Sequence, residues 1–158
     1  MTVDEEPEPR LRELGLSLPG PYPPHDPLDA VVVHMGTART SGQLPRDHEG
    51  NLVHPGTLGV DVSIEEGAEA ARWCALNALS VLREELGRLD RIERVLSLIG
   101  FVACAPEFHH QAAVVDGASR LLVEVLGDRG RHTRSAIGVA ALPRGGAVEI
   151  EVAVALRA

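Results

Sequence analysis

The sequence predicts an α+β domain in which two helices pack on one face of a mixed β-sheet. Three observations lead there. A capped, apolar-striped segment runs from Ser63 to Gly87, a β-rich run from Ile92 to Cys104 is apolar on both parities, and two alternating segments flank Pro143-Arg144-Gly145-Gly146 near the C-terminus. A chain of 158 residues suits one such domain, because at this length folding buries roughly 70% of the surface of the unfolded chain.

Residues 1–28 carry Pro7, Pro9, Pro19, Pro21, Pro23, Pro24 and Pro27 and read as an irregular arm, since proline at this density opposes helix and central strand alike. A short amphipathic turn around Leu11 to Leu16 is its one segment suited to docking. Residues 29–158 read as a single domain. Ala30 to Val33 and Thr37 to Ser41 have strand character and are separated at Gly36, which predicts a hairpin. Gln43 to Gly59 reads as a loop, punctuated by Pro45, Gly50, Pro55 and Gly56, with a short strand at Asn51 to His54.

Ser63 followed by Glu66 has the spacing of a capping box, and Ala68, Ala71, Ala75, Leu79, Leu82 and Leu86 make one helical stripe that ends at Gly87. In Ile92 to Cys104, Val95, Ile99 and Phe101 alternate with Leu96, Leu98 and Val102, as expected of a central strand covered on both sides. Val114 to Leu126 reads as the second helix, ending at Gly127. Thr133 to Leu142 and Ala147 to Leu156 read as a closing hairpin with Leu142 opposite Ala147. In its last strand Val148, Ile150, Val152 and Val154 share one face, and Glu149, Glu151, Ala153 and Ala155 the other. In the preceding strand Arg134, Ala136 and Gly138 are assigned to the face away from the helices. That face, lined by small residues with an Arg and two Glu, suits contact between copies of the chain, so a homo-oligomer is expected.

Composition removes several functions. A net charge of -8 and only one Trp, one Tyr and two Phe oppose phosphate binding and base stacking, which argues against nucleic acid. The apolar runs are too short to span a membrane, and Cys74 and Cys104 lack a CxxC pattern, so a cytoplasmic protein is expected. His48-Glu49 has Leu52 where a zinc motif needs a second histidine, His109 and His110 are adjacent, and no P-loop exists. No metal or cofactor is predicted. Arg129, Arg131, His132 and Arg134 make either a small anion site or a solvated turn. Arg134 begins a strand, where a guanidinium needs a carboxylate from the protein or from a ligand. Glu149 is the nearest protein candidate in the hairpin, yet the predicted register separates the two by about 20 Å, so one site could use both only by combining two subunits.

The run Arg134-Ser135-Ala136 through Leu142-Pro143, followed by Val148-Glu149-Ile150-Glu151, resembles the signature of the RidA/YjgF family. Ser41-Gly42-Gln43-Leu44-Pro45 and Gly20-Pro21-Tyr22 resemble two further family segments, and Asn77 stands where the family usually has an Asn in its first long helix. The resemblance implies a chorismate-mutase-like fold of the bacillus type, assembled as a homotrimer around an inner barrel with clefts between subunits. It implies hydrolytic deamination of reactive 2-enamino and 2-imino acids of the 2-aminoacrylate type, without a cofactor. In that reading Arg134 grips the substrate carboxylate, Ser41, Gly42 and Tyr22 help hold the ligand, and Glu149 activates water. Asp116 lies near a position where deaminating members have Asn, and Ala136 stands where many have Cys. A trimeric protein that binds small carboxylates without turnover is the alternative. The endoribonuclease label attached to the family fits the acidic charge less well.

Overall fold

The computed structural model describes residues 6–158. Helix α2 (Ile64–Leu86) starts at Ser63, whose Oγ accepts from the Glu66 amide at 3.1 Å while Glu66 Oε2 accepts from the Ser63 amide at 2.9 Å. Two orphan amides of the first turn are thereby satisfied, and Glu65 and Glu66 sit where the helix dipole favours negative charge. The predicted stripe is buried from Ala71 to Leu86, with Ala68 half-buried at its start. Helix α3 (Gln111–Leu126) begins three residues before the reading from sequence and ends at Gly127, burying Val114, Val115, Ala118, Leu121, Leu122 and Val125.

Beneath these helices lies a five-stranded sheet of β1 (Val31–His34), β2 (Thr37–Thr40), β3 (Ile92–Ala103), β4 (Thr133–Val139) and β5 (Val148–Leu156) in the order β1-β2-β5-β3-β4. The β1–β2 hairpin forms as predicted, turning through Met35 and Gly36, both at positive φ, the conformation that matches the twist of tightly linked strands.

The closing hairpin does not form. β4 pairs in parallel with β3, and β5 pairs antiparallel with the other edge of β3, so β3 separates the two segments that the sequence had suggested were partners. The cause is helix α3: a strand, a helix and a second strand form a crossover unit, which returns the chain parallel to β3. Leu142 and Ala147 are not paired. Instead the chain after β4 crosses the end of β3, and the carbonyl of Ala147 accepts from the Ala103 amide at 2.9 Å.

The altered pairing also reverses the faces of β4. Arg134, Ala136 and Gly138 lie beside Leu98, Gly100 and Val102, on the helix side, whereas Ile137 is 44% exposed on the open side. The earlier assignment of Arg134 to the open face is therefore corrected. In β5 the alternation holds: Val148, Ile150, Val152 and Val154 are buried, and Glu149, Glu151, Ala153 and Ala155 are half-buried on the open face.

Within the proline-rich arm, Pro7 and Pro9 open a short helix, α1 (Pro7–Glu13), rather than preventing one, because amides of a first turn have no partner to lose. Leu11 is buried, Arg10 Nε donates to the Glu124 carbonyl at 3.0 Å, and Glu8 Oε1 accepts from the Leu89 amide at 2.7 Å. Residues 1–5 of the arm lie outside the described residues. The strand expected at Asn51 to His54 reduces to one bridge between Leu52 and Arg46. Among the described residues no helix is long and apolar enough to cross a membrane.

The two long helices meet where Gly117 of α3 faces the backbone of Ala68, and a Cβ at Gly117 would overlap the Ala68 carbonyl oxygen. Helix propensity alone favours Gly117→Ala by about 1 kcal/mol. Overlap with backbone reverses the sign, so the variant is expected to lose about 1–3 kcal/mol in denaturant unfolding; a gain in stability would contradict this helix contact.

Candidate functional site

The alternation of β5 puts Glu149 on the open face, and the chain leaving β2 is tied directly beside it. The Gln43 amide donates to the Ile150 carbonyl at 2.7 Å, and the Ile150 amide donates back to the Gln43 carbonyl at 3.1 Å. This bridge lays Gly42 against the Glu149 side chain so closely that a Cβ at position 42 would overlap Glu149 Oε1. Ser41 is held from the other side, its Oγ donating to the Asp29 carbonyl at 2.6 Å and its amide to the Ala30 carbonyl at 2.8 Å.

Above Glu149 opens a cavity of about 490 Å³, whose polar lining includes Tyr22, Ser41, Arg46, Asn77 and Glu149 and whose apolar lining includes Leu28 and Leu44. Tyr22 donates its hydroxyl to the Asp47 carbonyl, and the Arg46 guanidinium carbon lies 5.2 Å from the centre of the Tyr22 ring, a cation–π contact. Asn77, only 2% exposed, projects from α2 and donates to the carbonyls of Arg46 and Trp73, both at 2.8 Å. A buried amide needs such partners, and here they fix the loop that carries Arg46. Arg46 escaped the sequence reading, and Asn77 entered it only through family resemblance. A polar residue amid the buried alanines and leucines of α2 was the available signal for Asn77; Arg46, in an irregular loop, offered none.

Glu149 is half-buried and has no hydrogen-bond or ion-pair partner among the described residues. Burial raises its pKa above the ordinary glutamate value, and the charge of Glu151 on the same face adds to the rise. Cys74 lies beneath β5, its Sγ donating to the Val148 carbonyl at 3.4 Å. Burial, with a further push from Glu149, holds its thiol well above the usual value, so Cys74 behaves as packing rather than as a nucleophile.

The seven residues singled out from sequence separate into two groups. Tyr22, Ser41, Gly42 and Glu149 meet at the cavity. Arg134, Asp116 and Ala136 belong to the helix side of edge strand β4. Arg134 Nη1 donates to Asp116 Oδ1 at 2.8 Å and to Ser119 Oγ at 3.2 Å, leaving its side chain 22% exposed. Asp116, not Glu149, is thus the protein carboxylate that partners this guanidinium. Arg134 pairs with Leu98 and Glu149 with Phe101, a separation of about 14 Å from three residues along β3 and two strand spacings across. Their side chains also leave opposite faces of the sheet. Within one chain they do not meet, a conclusion that survives although the hairpin register behind its first derivation does not.

A family model described as "YjgF/chorismate mutase-like, putative endoribonuclease" matches residues 8–150. The chain belongs to this YjgF family. The chain is also similar to Protein TCP17 of Trypanosoma cruzi, 42% identical over 147 residues, a match covering 92% of this chain and 91% of that protein. Among solved structures, the protein Atu1372 of Agrobacterium tumefaciens, of unknown function, is 38% identical with a TM-score of 0.89, covering 98% of this chain and 96% of the other. A Shewanella oneidensis protein named as a candidate endoribonuclease is 31% identical with a TM-score of 0.92, covering 96% and 100%. These similarities establish the YjgF/chorismate-mutase-like fold for essentially the whole chain, including the α1 segment.

The raised pKa of Glu149 has a consequence for stability with a definite sign. Its protonated form carries a smaller desolvation penalty than the charged form, so the folded state is favoured most below the unfolded pKa, and that advantage is lost as pH rises through the folded value. Glu149→Gln removes the titration. The variant is expected to melt above the wild type at about pH 8, with the gap closing toward about pH 4; a variant less stable than wild type at the higher pH would contradict the environment described.

Proposed function

We propose that this chain hydrolyses small 2-imino and 2-enamino acids to the corresponding 2-oxo acids and ammonia, with Glu149 moving the protons. One observation carries the reading: a half-buried carboxyl with raised pKa and no partner of its own lines a cavity large enough for a small acid. A carboxyl in that state can accept and return a proton near neutral pH more readily than an ordinary glutamate. Family membership supports the reading, as do the positions of Ser41, Gly42 and Tyr22 around the same cavity.

The chemistry asks little more. A 2-enamino acid first becomes the imine, C3 gaining a proton as nitrogen loses one; water then adds to C2 of the imine and forms the C–O bond, while Glu149 accepts one of its protons and returns it to the nitrogen. The remaining hydroxyl proton then follows the same route. As the C=O forms, the C–N bond breaks and ammonia leaves. The Gly42 amide, the one donor of the Ser41–Gln43 segment without a partner among the described residues, and the Tyr22 wall orient the acid, and positioning of this kind lowers the barrier before any proton moves. The same reading includes assembly as a homotrimer, supported by exposed apolar side chains on the open sheet face such as Leu96 and Ile137. Several YjgF proteins bear an endoribonuclease name, but the net charge of -8 opposes a polyanionic substrate.

The test is coupled turnover of 2-iminobutyrate or 2-aminoacrylate generated in place. Glu149→Gln is expected to lose about 100-fold or more in rate, the lower range for a general acid–base group, because an amide cannot accept the proton. Wild-type-like turnover in Glu149→Gln would remove Glu149 from the chemistry. Ligand binding by a wild type that turns over neither imine would instead identify a carboxylate-binding protein.

A further inference from the structure

All 15 basic residues of this chain are arginine, and 23 acidic residues outnumber them. Around the cavity above Glu149 that balance is reversed, since Arg46 and Arg144 line it against the single carboxyl group of Glu149. Neither guanidinium has a carboxylate or hydrogen-bond partner among the described residues, and neither is in ion-pair reach of Glu149. Arg144 is exposed, where an unpaired charge is ordinary, but Arg46 is half-buried. The Tyr22 face against which Arg46 lies attracts it without using its N–H donors, so the planar fork stays available to an anion.

Both residues are fixed at their backbones. The Arg46 amide donates to the Leu44 carbonyl at 3.0 Å, its carbonyl accepts from Asn77 at 2.8 Å, and it bridges to Leu52 across the loop. Arg144 sits at φ 59°, a left-handed conformation that a side chain other than glycine adopts at a cost. Its turn is closed by the Gly145 amide on the Leu142 carbonyl at 3.2 Å and by the Gly146 amide on the Pro143 carbonyl at 3.1 Å, and the Gly56 amide ties it to the neighbouring loop through the Gly145 carbonyl at 2.9 Å. Ordering a long side chain costs freedom when a ligand binds, and residues anchored in this way have less to lose.

The 2-carboxylate of the substrate does not account for these two cations. Family resemblance gives that group to Arg134, brought to the cavity by a second copy of the chain, and Arg46 and Arg144 are additional to it. We infer that the ligand carries a second anionic group at the far end of its side chain, and that Arg46 and Arg144 receive it. The preferred substrates are then short 2-imino dicarboxylates rather than 2-imino acids with an aliphatic end. Leu44 and Pro143 on the same lining suit the methylene stem between the two acids, and a cavity of about 490 Å³ leaves room for it. Positive side chains in a cleft of an acidic protein also focus the field on an approaching dianion, which the surrounding surface repels.

This inference rests on the function proposed above and is separable from it by experiment. Binding of 2-oxoglutarate and of 2-oxopentanoate, product analogues of equal carbon number that differ in a terminal carboxylate against a methyl group, is measured calorimetrically on the full-length wild type, Arg46→Met and Arg46→Lys, with light scattering on each. The wild type is expected to bind 2-oxoglutarate at least about tenfold more tightly, the worth of one charge-assisted contact. Arg46→Met is expected to erase most of that ratio, and Arg46→Lys part of it, since lysine keeps the charge but not the planar fork. A wild type that binds 2-oxopentanoate as tightly as 2-oxoglutarate would overturn the inference and leave the imine-hydrolysing site in place. So would a smaller assembly in Arg46→Met, which would show that a carboxylate of a neighbouring copy, not a ligand, meets Arg46. A wild type that binds neither acid would overturn the functional reading together with it.

Discussion

The contact between the Glu149 carboxylate and the bare backbone at Gly42 depends on two features that have nothing to do with chemistry: the strict alternation of β5, and the pair of hydrogen bonds between Gln43 and Ile150. Alternation sends Glu149 to the open face because its neighbours Val148 and Ile150 are needed in the core. The Gln43–Ile150 bridge then brings a strand end alongside, and only a residue without a Cβ leaves room for the carboxylate. Everything proposed about proton transfer follows from the resulting half-burial, which takes water from the carboxyl group without giving it a substitute partner.

Around that contact the fold supplies rigidity at low complexity. Helix α2 contributes the core side chains beneath β5 and, through Asn77, a single buried amide that holds the Arg46 loop. The loop returns the constraint, since the Arg46 guanidinium and the Tyr22 ring stack on each other above the cavity. Residues of the sheet and of the loop therefore line one cavity on separately fixed elements.

Local patterns in the sequence were legible where the physics is local. The Ser63–Glu66 capping box, the stripe of α2, the β1–β2 hairpin and the alternation of β5 each involve residues within one turn or one strand, and each appears in the structure. Pairing between β4 and β5 failed because a short turn between two strands resembles a hairpin whether or not a third strand separates them. The presence of α3 between β3 and β4 carried the contrary information. Reversal of the β4 faces follows from the same error, and with it the environment of Arg134. Tyr22, Ser41, Gly42 and Glu149 could be gathered by family resemblance, and they converge. Arg46 could not be found, since its place depends on how the loop from Leu44 to Val53 folds over α2, a non-local outcome that no periodicity records.

The account stands most directly on the protonation of Glu149. Carbon-13 NMR of side-chain-labelled glutamate, with Glu149→Gln used to assign the resonance, follows this one carboxyl through its titration. Its midpoint is expected above the ordinary glutamate value of about 4.3, consistent with burial beside Glu151. A midpoint at or below that value would mean that water or a cation reaches the carboxylate freely, and the proton-transfer role assigned to Glu149 would lose its physical basis.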